Sequence, residues 1–106
     1  MKVDDVVKSL NISRVDFVKI DVEGLELNVL NGMRQVISIH KPVIFCEIYT
    51  GKNSNSDPEA TVRLVCSDGY SAYVMRNGEL SPYESHDDNF YNYLFLPTGR
   101  DDLIRR

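Results

Sequence analysis

The sequence has no tryptophan, two cysteines and no apolar run long enough to cross a bilayer. Its longest apolar stretches, such as Pro42 to Ile48 with Glu47 inside, fall far short of the ~20 residues a membrane helix needs. The opening Met-Lys-Val-Asp-Asp lacks the apolar core of a signal peptide. Cys46 and Cys66 stand in apolar surroundings without CxxC spacing, as expected of small buried hydrophobes in a reducing compartment. The expectations are a cytoplasmic location and no membrane partner. Lysines and arginines form no cluster and the net charge is −4, so a nucleic-acid partner, which needs concentrated positive charge, is not expected either. No glycine-rich GxGxxG turn of the kind that approaches a nucleotide occurs anywhere.

What is present is ordinary for a folded protein: 106 residues, 42% hydrophobic and 26% charged, enough for one domain with a core and no more. Val3, Val6, Val7 and Leu10 repeat at helical spacing, with Asp4 and Asp5 early and Lys8 late, and Asn11 is a plausible stop. Val15 to Val22 is nearly continuously apolar and β-branched, which predicts a central parallel strand covered on both faces. From Gly24 a second helical stripe runs through Leu25, Val29, Leu30, Met33, Val36 and Ile37 to about His40, because Lys41 precedes Pro42. Val43 to Tyr49 is the second buried strand, and strand, helix, strand makes a βαβ unit.

Asp57-Pro58 is a strong helix start and Asp68-Gly69 the matching stop. Tyr70 to Arg76 then reads as a strand, Asn77-Gly78 as a tight type I′ turn with Glu79-Leu80 beginning the return, and Phe90 to Leu96 as the last strand. The order α-β-α-β-α followed by an antiparallel meander predicts an α/β fold, a three-layer sandwich with a partly parallel sheet.

The segment Val15-Asp-Phe-Val-Lys-Ile-Asp-Val-Glu-Gly-Leu-Glu26 resembles the signature of FkbM-type methyltransferases. The resemblance continues in order through Lys41-Pro-Val-Ile-Phe-Cys-Glu-Ile48, Gly69-Tyr70 and Asn92-Tyr-Leu-Phe-Leu-Pro97. It implies that residues 1–106 are one partial domain. This would be the C-terminal half of a class I (Rossmann-like) methyltransferase sheet, from the helix before the fourth strand through the seventh. It also implies S-adenosylmethionine as cofactor and O-methylation of a small-molecule, sugar or lipid hydroxyl. The glycine-rich turn and first three strands of such a sheet are not in this sequence. The chain alone is therefore expected to bind the cofactor no better than millimolar and not to transfer methyl groups unaided. A non-catalytic half-domain that self-associates is the alternative.

Ligands of open α/β sheets bind beyond the carboxyl ends of the strands. Asp21, Glu23 and Glu47 lie at or past such ends, and Asp21 is the best candidate to orient a hydroxyl or take its proton. Capping of the following helix is the competing role for Asp21 and Glu23. Lys19, in mid-strand and sharing Asp21's face by period two, is expected to pair with Asp21 or Glu47, since an unpaired buried charge is costly. His86, in the polar loop Ser85 to Asn89, and Asn92 complete the candidate substrate contacts. Three carboxylates could hold Mg²⁺, but nothing in the spacing fixes an octahedral geometry, and no metal is expected. Finally, the resemblance implies that the Val15–Val22 strand would be flanked in an intact domain by the first strand, which is not in this sequence. Its free edge is expected to pair with a second copy in a homodimer.

Overall fold

The computed structural model describes residues 2–21, 26–48, 57–87 and 89–100. Their elements are α1 (Val3–Ser9), β1 (Phe17–Ile20), α2 (Glu26–Asn31), α3 (Arg34–His40), β2 (Val43–Glu47), α4 (Pro58–Ser67), β3 (Tyr70–Arg76), β4 (Glu79–Pro82) and β5 (Asn92–Pro97).

Local signals place most of these boundaries. Asn11 stops the first helical segment by taking a left-handed conformation, φ 57°. Asp57 caps α4, its carboxylate accepting from the Ala60 amide at 3.1 Å, with Pro58 at the first helical position. Gly69, at φ 89°, turns the chain out of that helix, and Asn77 and Gly78, at φ 52° and 83°, form the β3–β4 turn. Positive φ at both central residues is what a type I′ hairpin requires.

The long helix expected up to His40 is broken in two at Gly32–Met33. Long-range contacts explain the break. A Cβ on Gly32 would stand 3.3 Å from the Lys2 side chain, so the start of α1 lies directly on this glycine. Met33, at the N-cap of α3, offers no side-chain cap. Asp4 of α1 does so instead, its carboxylate accepting from the Gln35 and Val36 amides at 3.1 and 3.0 Å, while its own amide donates to the Gly32 carbonyl at 2.9 Å. α1 buries no residue fully, so this capping from one helix to another is a main part of what holds it.

The strands form one sheet in the order β1-β2-β5-β3-β4. β1 and β2 are parallel and every other pairing is antiparallel. A meander would have set β5 beside β4. Instead β5 enters between β2 and β3, because Tyr93, Phe95 and Leu96 are all buried there and need neighbours on both sides. Short β4, ending at exposed Pro82, takes the edge, where a residue without an N–H is tolerated. β1 also lies at an edge rather than at the centre, and Phe17 is 57% exposed.

Two neighbouring rows across the sheet show how its faces differ. Ile20, Cys46, Tyr93 and Val74 are paired in register, and all are buried. They join Leu30, Met33, Val36 and Ile37 from α2 and α3 with Val62 and Val65 from α4 in a single core. The next row, on the opposite face, is Lys19, Phe45, Leu94, Tyr73 and Pro82. None of its members belongs to that core; Lys19 and Pro82 are exposed and the other three half-buried. Leu96 is a buried exception on this side. Among the described residues, then, the helices cover one face, giving two layers where three were expected, and the molecule is a slab of 39 × 37 × 21 Å.

The end of the sheet away from the candidate site is tied by polar contacts. The buried Tyr70 hydroxyl donates to the Pro42 carbonyl at 2.6 Å, and the Lys41 ammonium donates to the Asp68 carbonyl. Arg34 meets the Asp68 carboxylate with Nη2 and Nε, each at 3.0 Å.

Two outcomes follow from these contacts. Asp4→Ala should lower unfolding stability in urea by about 2 kcal/mol, the loss of a charged acceptor from two amides, with Asp4→Asn losing less. Burial, and then the nearby Asp68 carboxylate, hold the Tyr70 phenol well above its usual pKa. A raised folded value means its contribution is fully present below the unfolded pKa of about 10 and is lost as pH rises towards the folded one. Stability should therefore fall above about pH 10, and less steeply in Tyr70→Phe, as measured by alkaline denaturation of the two proteins.

Candidate functional site

Parallel strands β1 and β2 end side by side, since Ile20 pairs with Cys46. One residue further on stand Asp21 and Glu47, and Glu47 pairs in turn with Asn92 at the start of antiparallel β5. Three elements thus bring two carboxylates and one carboxamide to adjacent positions at one end of the sheet. Glu47 and Asn92 have the parity of Phe45 and Leu94, so they belong to the face the helices leave uncovered. Asp21 is exposed, and Glu47 and Asn92 are half-buried. Glu23 lies outside the described residues.

Lys19 is on the same face, as its spacing implied, but the expected ion pair is not formed. Among the described residues the ion pairs are Arg14–Asp16 at 2.6 Å and Arg34–Asp68. The premise of a buried lysine is what failed: on an edge strand and an uncovered face its ammonium stays in water and needs no partner.

His86 is separated from this row. Its Nδ1 lies 2.6 Å from the Tyr93 hydroxyl, and its ring stacks on that of Tyr93 with centroids 5.9 Å apart. Tyr93 belongs to the helix-covered face, where it also meets Tyr83 at 5.8 Å and Phe95 at 6.2 Å. The Tyr83 hydroxyl donates to Glu59 Oε1 at 3.0 Å. Burial first, and the Glu59 carboxylate second, raise the Tyr83 pKa and favour the neutral phenol. Burial likewise raises that of the Cys66 thiol, which disfavours the thiolate a nucleophile needs. Neither cysteine is in a disulfide. Only the pairing of β5 with β2 and β3 shows that Tyr93 reaches His86.

A groove of about 240 Å³ lies elsewhere, between α1 and α3, with Val7, Ile12, Val36 and Ile39 among its walls. It contains none of the candidate residues. No described helix is long and apolar enough to cross a membrane.

The row of Asp21, Glu47 and Asn92 suits a hydroxyl-bearing ligand, since carboxylates accept from hydroxyls and a carboxamide both donates and accepts. Gly24 and Gly51, the glycines that follow β1 and β2 at this end, lie outside the described residues. The parallel pair, continued by antiparallel strands and backed by helices, fits a methyltransferase-like α/β fold. Residues 1–72 match the family model for the methyltransferase FkbM domain, and the chain belongs to that family. The match spans Lys19, Asp21, Glu23 and Glu47 and stops before His86 and Asn92. No curated protein and no solved structure matches the chain.

Proposed function

We propose that the chain carries the acceptor side of an S-adenosylmethionine-dependent O-methyltransferase site, acting on the hydroxyl of a small molecule, sugar or lipid. The observation that carries this reading is the placement of Asp21, Glu47 and Asn92 across three adjacent strand ends. FkbM methyltransferases generally use S-adenosylmethionine, whose methyl group is the electrophile. The role proposed for the residues of the row concerns the acceptor alone. Asp21 accepts the hydrogen bond of the acceptor hydroxyl, orients its oxygen and is placed to take its proton. Glu47 and Asn92 bind neighbouring hydroxyls of the same acceptor, and Lys19 stands one row away as a mobile cation. His86, stacked on buried Tyr93 on the other side of the sheet, is left out of this acceptor row. The fold reading behind this proposal is the C-terminal half of a class I sheet, whose third layer would cover the face bearing the row.

An NMR titration of the protein with polyols, glycosides and hydroxylated lipids tests the assignment. Acceptors of the right class should shift the amides of Asp21, Glu47 and Asn92 together. Asp21→Asn should weaken that binding about 10-fold, the worth of one hydrogen bond to a charged group, and Glu23→Gln should weaken it less. Shifts confined to the α1–α3 groove, or equal losses in the two variants, would remove Asp21 from the site.

A further inference from the structure

The direction of the strands puts a third carboxyl end beside those of β1 and β2. β5 is antiparallel to β2 and β3 is antiparallel to β5, so β3 runs the same way as the parallel pair. Its last residues, Met75 and Arg76, therefore stand at the end of the sheet where Asp21 and Glu47 stand. Val74 pairs with Tyr93, so Met75 comes opposite Asn92, and Met75 pairs in turn with Leu80 of β4. The row of the candidate site thus continues across the sheet, on one face, as Asp21, Glu47, Asn92, Met75 and Leu80.

The two halves of this row differ in chemistry. On β1, β2 and β5 it carries two carboxylates and a carboxamide, and on the β3–β4 hairpin a thioether and a branched alkyl group. Met75 is 36% exposed and Leu80 is half-buried. The charged residues of the hairpin do not join them. Arg76 has the opposite parity and lays its guanidinium over the Phe90 ring, 5.0 Å from the centroid, and Phe90 packs against the core on the helix side. Glu79, the register partner of Arg76, shares that parity. Phe45, Leu94 and Tyr73 lie one row further in, under the layer that the proposed fold would add. Met75 and Leu80 lie instead at the strand ends, where open α/β sheets bind their ligands.

We infer that the acceptor is an amphiphile of the hydroxylated-lipid class, its hydroxyls held by Asp21, Glu47 and Asn92 and its apolar chain laid over Met75 and Leu80. This rests on the acceptor reading proposed above and narrows it, because a free sugar or polyol satisfies only the polar half of the row. With strands ~4.8 Å apart, Met75 stands roughly 10 Å from Glu47 and Leu80 roughly 14 Å, so the apolar contacts fall well away from the reacting hydroxyl. Methionine suits such a position, since its unbranched, polarizable side chain adapts to apolar groups of different shape. Met75 and Leu80 are specificity residues: they touch the body of the acceptor and no reacting atom.

Amide and methionine-methyl NMR titrations with ethyl glyceryl ether and octyl glyceryl ether, the latter below its micelle concentration, test the inference. The two probes carry the same hydroxyls and differ only in the alkyl chain. Both should shift the Asp21, Glu47 and Asn92 amides. The octyl ether alone should shift the Met75 methyl and should bind about 10-fold more tightly, as the burial of two methylene groups provides. Met75→Gln should bring its affinity down towards that of the ethyl ether, and Met75→Leu should keep the gain. Should Met75→Gln not fold, the Met75 methyl of the parent protein decides by itself. Equal affinity for the two ethers, with the three amides still shifting, overturns the inference and leaves the acceptor row standing. Silence of those amides with both ethers removes the row and the inference with it. A gain that survives Met75→Gln, or octyl-specific shifts in the α1–α3 groove in place of Met75, puts the chain elsewhere and also overturns it.

Discussion

The arrangement depends on the last strand of the sequence becoming the central strand of the sheet. β5 is bonded to β2 on one side and to β3 on the other. Without it the parallel pair and the hairpin are two separate two-stranded pieces, which are marginal on their own. Tyr93 and Phe95, both fully buried, lie at the middle of the core that α2, α3 and α4 cover. The same strand, through its alternate residues, places Asn92 beside Glu47 and leaves Leu94 on the open face. Core, candidate site and uncovered surface are therefore set by the insertion of one six-residue segment.

That insertion also divides the chemistry between two sides. Period-two alternation sends Tyr93 towards His86 and the helices, and sends Asn92 towards Glu47 and Asp21. The aromatic side is built from contacts among neighbours and from phenols held neutral, which suits packing. The carboxylate side has exposed or half-buried acceptors and a lysine in water, which suits ligand binding. The proposed function puts the acceptor on the second side.

Elements governed by local chemistry were legible in the sequence. The Asp57-Pro58 start, the Gly69 stop, the Asn77-Gly78 turn and the Asn11 helix end are decided by the residues at those positions and their immediate neighbours. So was the pair of strands ending near Asp21 and Glu47, because both are short apolar runs closed by carboxylates. What sequence did not disclose rests on contacts between distant segments. The break at Gly32–Met33 needs Asp4 and Lys2 from a separate helix. The place of β5 needs a comparison of how much each strand must bury, and a hairpin signal at Asn77-Gly78 invites the simpler meander. Lys19 looked buried because a run of apolar residues does not say whether both faces will be covered.

The most direct test of this account is hydrogen exchange of the backbone amides. If β5 is the central strand, the Tyr93 to Leu96 amides should exchange only through global unfolding and be the slowest in the protein. The β4 amides, at the sheet edge, should exchange by local opening, at least ~100-fold faster. Equal, rapid exchange in β5 and β4 would contradict the central place of β5, and with it the alternation that separates the core from the candidate site.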